Sequence, residues 1–365
     1  MTPLRYLLLA THVPADGRGG GMIRYVLELA RELEERPDVE LHLLVSREAR
    51  DLAVGLVGDE ARAHVSLPAP TAVRSFGERL ALSAPVLRHD LDVVHGAKHL
   101  VPKRSRATRV LTVHDMILLD RPDDFGRLKK ALLPGPYLAS VHDSDVILCV
   151  SEATRERLAA YTPSALRRTT VVPLAPATAL LAAVPAPVPR LAGRRFAVVV
   201  GDTSPRKNLA LVVQRWAEIA GDADVRLAVV GPPGWGTGGV GDGPADPRVE
   251  LLGHVSDAEL RWCYENADLV LCPSLAEGFG LPAAEAAAFG APLLTSHDAA
   301  LREAAAGWGT SMTTDDPEAF VATARELLAA GPAPRPPAAR PGRTWADVAD
   351  ETLRAVRASR DGGRG

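Results

Sequence analysis

Short apolar runs alternate along the chain with longer amphipathic stretches. Runs at 6–10, 41–45, 93–95, 110–113 and 146–150 predict one set of strands, and runs at 196–200, 227–230, 249–252, 269–272 and 292–295 predict a second. Between them, apolar positions recur at helical spacing over 22–35, 75–88, 152–161, 209–220, 257–266 and 317–329. Strands that alternate with helices predict parallel, doubly wound sheets. Runs that are apolar on both faces, such as Ala197-Val198-Val199-Val200, suit sheets covered on both sides. Proline punctuates the pattern twice, at 173–189 and at 331–342, and after the second stretch Val348, Leu353 and Val356 fall near one helical face. The expected organisation is a Rossmann-like domain over 1–173, a linker over 174–194, a second such domain over 195–340, and a final helix with a flexible tail over 341–365. Ligands of open α/β sheets bind outside the carboxyl ends of the strands, so function is expected on the loops there.

A chain of 365 residues suits two domains, and 47% hydrophobic with 24% charged residues is ordinary for a globular protein. A net charge of −3 provides no basic field for nucleic acid. The cysteines, Cys149, Cys263 and Cys272, form no Cys-x-x-Cys pair, and they read as buried reduced thiols of a cytoplasmic protein. The apolar run at 6–10 is too short to span a bilayer, and the Gly-rich and charged sequence after it fits a signal peptide poorly. No transmembrane segment is expected, while peripheral membrane contact stays open.

The densest chemistry lies in Pro273-Ser274-Leu275-Ala276-Glu277-Gly278-Phe279-Gly280-Leu281-Pro282-Ala283-Ala284-Glu285, directly after the strand at 269–272. Pro282 suits an early helical position, and Gly278 and Gly280 allow close approach to a ligand. The N–H groups of Phe279, Gly280 and Leu281 at such a helix start attract phosphate. Glu277 and Glu285 frame the loop. Ionised carboxylates only accept hydrogen bonds, so one can hold a sugar and the other a ribose, whereas the plainer role for Glu285 is to complement the helix dipole. Gly201-Asp202-Thr203-Ser204-Pro205-Arg206-Lys207-Asn208 follows the strand at 196–200, and there Arg206 can grip phosphate in a bidentate manner while Lys207 acts as a point charge. In the first half, Gly19-Gly20-Gly21 after the first strand permits a ligand to approach. His114, in Thr112-Val113-His114-Asp115, ends another strand, where it either bonds a sugar hydroxyl or serves as a structural histidine.

Together these segments resemble glycosyltransferase family 4. The pair Glu277 and Glu285 around Gly-Phe-Gly-Leu-Pro is similar to that family's signature, and Pro205-Arg206-Lys207-Asn208 to its diphosphate loop. Gly231-Pro232-Pro233-Gly234-Trp235-Gly236 and Gly253-His254-Val255-Ser256-Asp257 match in order and spacing. Gly19–Gly21, Thr112–Asp115, Val150-Ser151-Glu152 and Val171-Val172-Pro173-Leu174 match more loosely, and the segment from Trp345 is similar to the helix that crosses back onto the first domain. The resemblance covers nearly the whole chain. It implies a GT-B fold, in which two Rossmann-like doubly wound domains face across a cleft, and transfer with retained anomeric configuration. It also implies Glu277 on the donor sugar, Glu285 on the ribose, Arg206 and Lys207 on the diphosphate, and Gly20, Gly21, Gly231, Phe279, Gly280 and Leu281 against the donor. His114 would position the sugar or the acceptor. Many members carry an Arg where this chain has Asp202, so Arg206 is expected to take over that charge. The Pro-Arg-Lys-Asn and Gly-Trp-Gly segments are most similar to mannosyltransferases, which favours a GDP-mannose-like donor.

With the cations supplying charge stabilisation, neither metal nor other cofactor is expected. The pairs Asp90/Asp92, Asp143/Asp145 and Asp222/Asp224 precede predicted strands and read as turn residues; His95 and His99 lack a third ligand at suitable spacing. The rival functions are a nucleotide-sugar epimerase of similar shape and a non-catalytic nucleotide-sugar binding protein. A dinucleotide oxidoreductase is disfavoured, because no Gly-x-Gly-x-x-Gly follows the first strand.

Overall fold

The computed structural model describes residues 2–66, 79, 90–232, 246–331 and 342–362. Two compact units result. One comprises Met1–Leu119, Arg127–Leu174 and Thr344–Gly365, and the other Asp120–Gly126 and Ala175–Arg343.

Unit 1 is built on β1 Leu4–Leu9, β2 Val39–Val45, β3 Ala63–Val65, β4 Val93–Gly96, β5 Thr108–Val113, β6 Val146–Cys149 and β7 Thr169–Val171. They form a seven-stranded parallel sheet in the order β3-β2-β1-β4-β5-β6-β7. Unit 2 carries β8 Arg195–Val200, β9 Val225–Val230, β10 Val249–Gly253, β11 Leu269–Cys272, β12 Leu293–Ser296 and β13 Thr310–Met312. These form a six-stranded parallel sheet in the order β10-β9-β8-β11-β12-β13. In each sheet the direction of winding reverses once, between β1 and β4 and between β8 and β11. At such a switch point the loops after the two strands diverge to opposite faces and leave a crevice. Val199 pairs with Leu271 and Leu8 with His95, so at each reversal the two loops leave the sheet at one level.

The central strands are buried on both faces, as their unbroken apolar runs require. Trp216, Phe320, Leu227, Leu269 and Leu271 fill the core of unit 2. Helices Glu152–Tyr161, Asp257–Asn266 and Pro317–Ala329 form where the amphipathic pattern predicts them. Ser256 and Glu259 close a capping box on the second of these. The stretch expected as one helix over 209–220 instead breaks at Arg215 into Leu209–Gln214 and Trp216–Ala220. Past the break, the buried Trp216 donates its indole N–H to the Val225 carbonyl at 3.2 Å. β3, β7 and β13 were not anticipated, since three-residue strands carry too little pattern to detect. The helix expected over 75–88, apart from Arg79, and the segment Gly234-Trp235-Gly236 lie outside the described residues, as does most of the second proline-rich stretch.

The first proline-rich stretch holds a helical turn, Thr178–Ala182, and Arg261 ties it to helix Asp257–Asn266 through the carbonyls of Leu181 and Ala183. Helix Trp345–Gly362 packs within unit 1: Trp345 meets the Tyr25 ring edge-on at 5.9 Å, and Arg360 pairs with Asp92 at 2.6 Å. The Asp-x-Asp pairs are likewise drawn into arginine contacts at the amino ends of strands. Asp143 bonds Arg79, Asp145 bonds Arg109, and Asp222 and Asp224 act on Arg248. All three thiols are buried, which pushes each up to about 12. Among the described residues, no helix is long and apolar enough to cross a membrane.

Candidate active site

The unit 2 crevice is made by the loops after β8 and β11. After β8 the chain passes through Gly201, and Asp202 accepts hydrogen bonds from the backbone and hydroxyl of Ser204. A 3-10 turn, Pro205–Lys207, follows, and Asn208 in the left-handed region starts helix Leu209–Gln214. This turn projects Arg206 and Lys207 toward the neighbouring loop, where the Arg206 carbonyl accepts from the Leu275 N–H at 2.7 Å.

Glu277 stands at the centre. Lys207 Nζ lies 2.6 Å from its Oε1 and Arg206 Nη1 3.1 Å from its Oε2, while the Ser274 hydroxyl donates to Oε1 at 2.7 Å. Burial alone would raise the Glu277 pKa. Lys207 and Arg206 outweigh that effect with the Lys207 and Ser274 hydrogen bonds, and hold the carboxyl down to about 2. Glu277 and Lys207 are both buried, whereas the Arg206 side chain keeps a quarter of its surface exposed. Asp202 lies 3.8 Å from Arg206 and tempers its charge. A small pocket reaches Lys207, Ser274, Glu277 and Pro282 and is walled by Leu271 and Leu301.

Gly280 takes φ +98, and a Cβ there would lie 2.6 Å from the Leu301 side chain, so glycine is required. It begins helix Leu281–Ala288 with no side-chain cap, and Pro282 sits in the first turn. Gly231, after β9, has φ +138, and a Cβ there would fall 2.2 Å from the Gly201 carbonyl oxygen. The β8 and β9 loops therefore touch backbone to backbone. Phe279 is buried beside this helix start. Glu285 lies one turn into the helix, buried, and accepts from the Tyr264 hydroxyl at 2.8 Å. Lys207, Glu277 and Glu285 all act electrostatically on Cys272 at the end of β11.

The fold thus brings Arg206, Lys207 and Glu277 into direct contact; Gly231 packs on Gly201, which neighbours Lys207, and Gly280 packs on Leu301, which walls the same pocket. Gly20, Gly21 and His114 belong to unit 1. Nothing lies within 4 Å of where a Gly20 Cβ would be, so packing does not demand glycine there. His114 is buried at the end of β5; its Nε2 is 3.0 Å from the Ala97 carbonyl and its ring meets Tyr25 edge-on. Burial, with Asp115 and the Ala97 bond opposing it, lowers its pKa to about 4. His95 is spoken for as well: its nitrogens bond Tyr6 and Thr112 at 2.7 Å each. Sequence reasoning passed over Ser274 and Tyr264. Ser274 shares a loop with Glu277, which was a usable signal, but nothing along the chain ties Tyr264 to Glu285.

Residues 19–175 match the family described as Glycosyltransferase Family 4, and residues 194–330 match Glycosyl transferases group 1. The first part of the chain thus carries a Glycosyltransferase Family 4 domain and the second a Glycosyl transferases group 1 domain. Two Rossmann-like units give the chain the GT-B fold. O-antigen chain mannosyltransferase B of Escherichia coli is 27% identical over 248 residues, and the match spans 63% of this chain and 63% of that protein, under two thirds of its length. D-inositol 3-phosphate glycosyltransferase of Kineococcus radiotolerans is 27% identical, with coverage of 89% and 87%. Anabaena HepE, in complex with UDP-glucose, superposes with a TM-score of 0.63 at 15% identity, over 97% of this chain and 95% of that one; likeness at that identity concerns the fold.

Proposed function

We propose that this protein is a retaining glycosyltransferase that moves a hexose from a nucleotide diphosphate sugar to an acceptor hydroxyl. The observation that carries the reading is the cationic pair Arg206–Lys207, fixed on Glu277 beside the uncapped start of helix Leu281–Ala288. Cleavage of a glycosyl–phosphate bond leaves negative charge on the diphosphate, and preoriented cations with helix N–H groups stabilise that charge as it develops. Glu277 keeps Lys207 and Arg206 in place before the donor arrives, so little reorganisation is needed. Arg206, the more exposed of the two, turns from Glu277 to the phosphate oxygens, and Glu277 then accepts a bond from a donor-sugar hydroxyl. Glu285, oriented by Tyr264, accepts from the ribose. Retention follows from front-face attack, in which the departing phosphate takes the acceptor proton. His114 has one nitrogen committed to Ala97 and offers Nδ1 to the sugar.

The Escherichia coli relative's mannosyl specificity supports GDP-mannose as the donor. Because charge stabilisation comes from side chains, turnover in excess EDTA should match turnover without it. Complete loss, restored by Mn²⁺ or Mg²⁺, would refute metal independence. Nucleotide release that requires an added acceptor supports transfer; steady consumption of donor without acceptor would instead indicate an epimerase, and binding without turnover a non-catalytic protein.

A further inference from the structure

The loop after β8 carries a carboxylate to which charge stabilisation gives no part. Asp202 stands beside the cations that would hold a diphosphate, where a negative charge works against binding. The loop nevertheless fixes it there. Oδ1 accepts the Ser204 N–H at 3.0 Å and also the Ser204 hydroxyl, which closes a tight turn on the carboxylate. Next to it, Gly201 packs its backbone against the stem of Lys207, where a Cβ would lie 3.3 Å from the side chain. Oδ2 is turned to Arg206, 3.8 Å from Nη2, and the Asp202 side chain keeps 30% of its surface exposed.

Arg206 therefore lies between two carboxylates, 3.1 Å from Glu277 and 3.8 Å from Asp202. Lys207 and Arg206 match Glu277 and Asp202 charge for charge, so an arriving diphosphate meets oriented donors in these four side chains but no net positive charge. Such a cluster is sensitive to how much charge the ligand brings. The two nucleotides of a transfer reaction differ in that respect. In a sugar nucleotide the outer phosphate is a diester with a single negative charge. Once the sugar has left, the same phosphate is a monoester that loses a second proton at a pH of about 6. N–H donors and cations hold both forms, whereas a fixed carboxylate opposes the additional charge.

We propose that Asp202 is a specificity-determining residue, which disfavours the nucleoside diphosphate product relative to the intact sugar nucleotide. The proposal rests on the transferase reading of the same site and adds a selection by ligand charge.

The test is calorimetry on the full chain with GDP-mannose, GDP and the β-methyl ester of GDP, and with UDP-glucose, UDP and its β-methyl ester in parallel. The methyl ester has the charge of the donor without its sugar, so it separates charge from sugar contacts. Asp202→Asn retains an oxygen for the Ser204 turn and removes the charge. It should tighten the free diphosphate roughly tenfold more than the methyl ester, the scale of one unit charge acting across a partly exposed site. Asp202→Arg should widen that gap further. Ser204→Ala, which loosens the turn and leaves the charge in place, should change the diphosphate and its methyl ester by equal factors. Equal gains for the two ligands in Asp202→Asn, or a gap in Ser204→Ala as wide as in Asp202→Asn, would overturn the selection by charge and leave the transferase reading standing. Failure of the unaltered chain to bind any of the six nucleotides would overturn that reading itself.

Discussion

The two sheets share a winding rule, and each opens a crevice where its strand order reverses, but the two crevices are furnished in opposite ways. In unit 2 the loops bring two cations onto one buried carboxylate, at 2.6 and 3.1 Å. In unit 1 the corresponding loops bring together neutral imidazoles and a lysine that meets no carboxylate among the described residues. The first arrangement pairs its charges before any ligand binds, with Lys207 held on Glu277 and Arg206, a quarter exposed, the one placed to turn. The second leaves the Nε2 of His12 without a hydrogen-bond partner among the described residues. One topology therefore supplies the place, and the loop side chains decide the chemistry.

The contrast can be broken most sharply at the cations. Lys207→Ala or Arg206→Ala should reduce turnover by roughly 10²–10³-fold, the range for losing one group that stabilises developing charge. Steady-state nucleotide release checks this, and unchanged rates in both folded variants would remove the pair from the mechanism. Backbone closeness comes next. In Gly231→Ala the new methyl would sit 2.2 Å from the Gly201 oxygen at φ +138, so a loss of about 2–4 kcal/mol in urea denaturation is expected.

Acid should separate the two units. His12, His95, His99 and His114 are pushed down to about 3 or 4 from 6.5, so the stability they contribute is complete above pH 6.5 and drains as pH falls toward those values. Glu277, pushed from 4.5 to about 2, contributes stability that is complete above pH 4.5 and lost toward pH 2, worth about 3 kcal/mol on the usual conversion of pKa to free energy. Hydrogen exchange at pH 5 should therefore find unit 1 loosened while unit 2 keeps its protection; simultaneous loss would contradict the assignment. Smallest is the effect of Glu285→Ala, which should weaken nucleotide binding about tenfold, near 1.4 kcal/mol, with less change in the chemical step. Calorimetry that finds equal affinity would free Glu285 from the ribose.

Much of this could be read from the chain. Unbroken apolar runs such as Ala197–Val200 marked the central strands, and the glycines and proline around Glu277 marked a loop that opens a helix. Edge strands such as Thr310–Met312 were too short to see, and the break at Arg215 depends on where Trp216 must pack. The candidate residues of unit 2 were legible because local rules placed them after strands. Their mutual arrangement was not, since Lys207 and Glu277 lie far apart in sequence and meet only because β8 and β11 are neighbours.

By itself the sequence determined the alternation of strand and helix, the residues on the two loops and the glycines that let backbone approach backbone, because these follow from local periodicity and conformational freedom. Only the tertiary structure decided that Glu277 holds both cations, that Tyr264 holds Glu285, and that, among the described residues, the Nε2 of His114 is committed while that of His12 is not and Lys98 meets no carboxylate. Those outcomes depend on burial and on contacts between distant segments, and neither is a property of any stretch of chain taken alone.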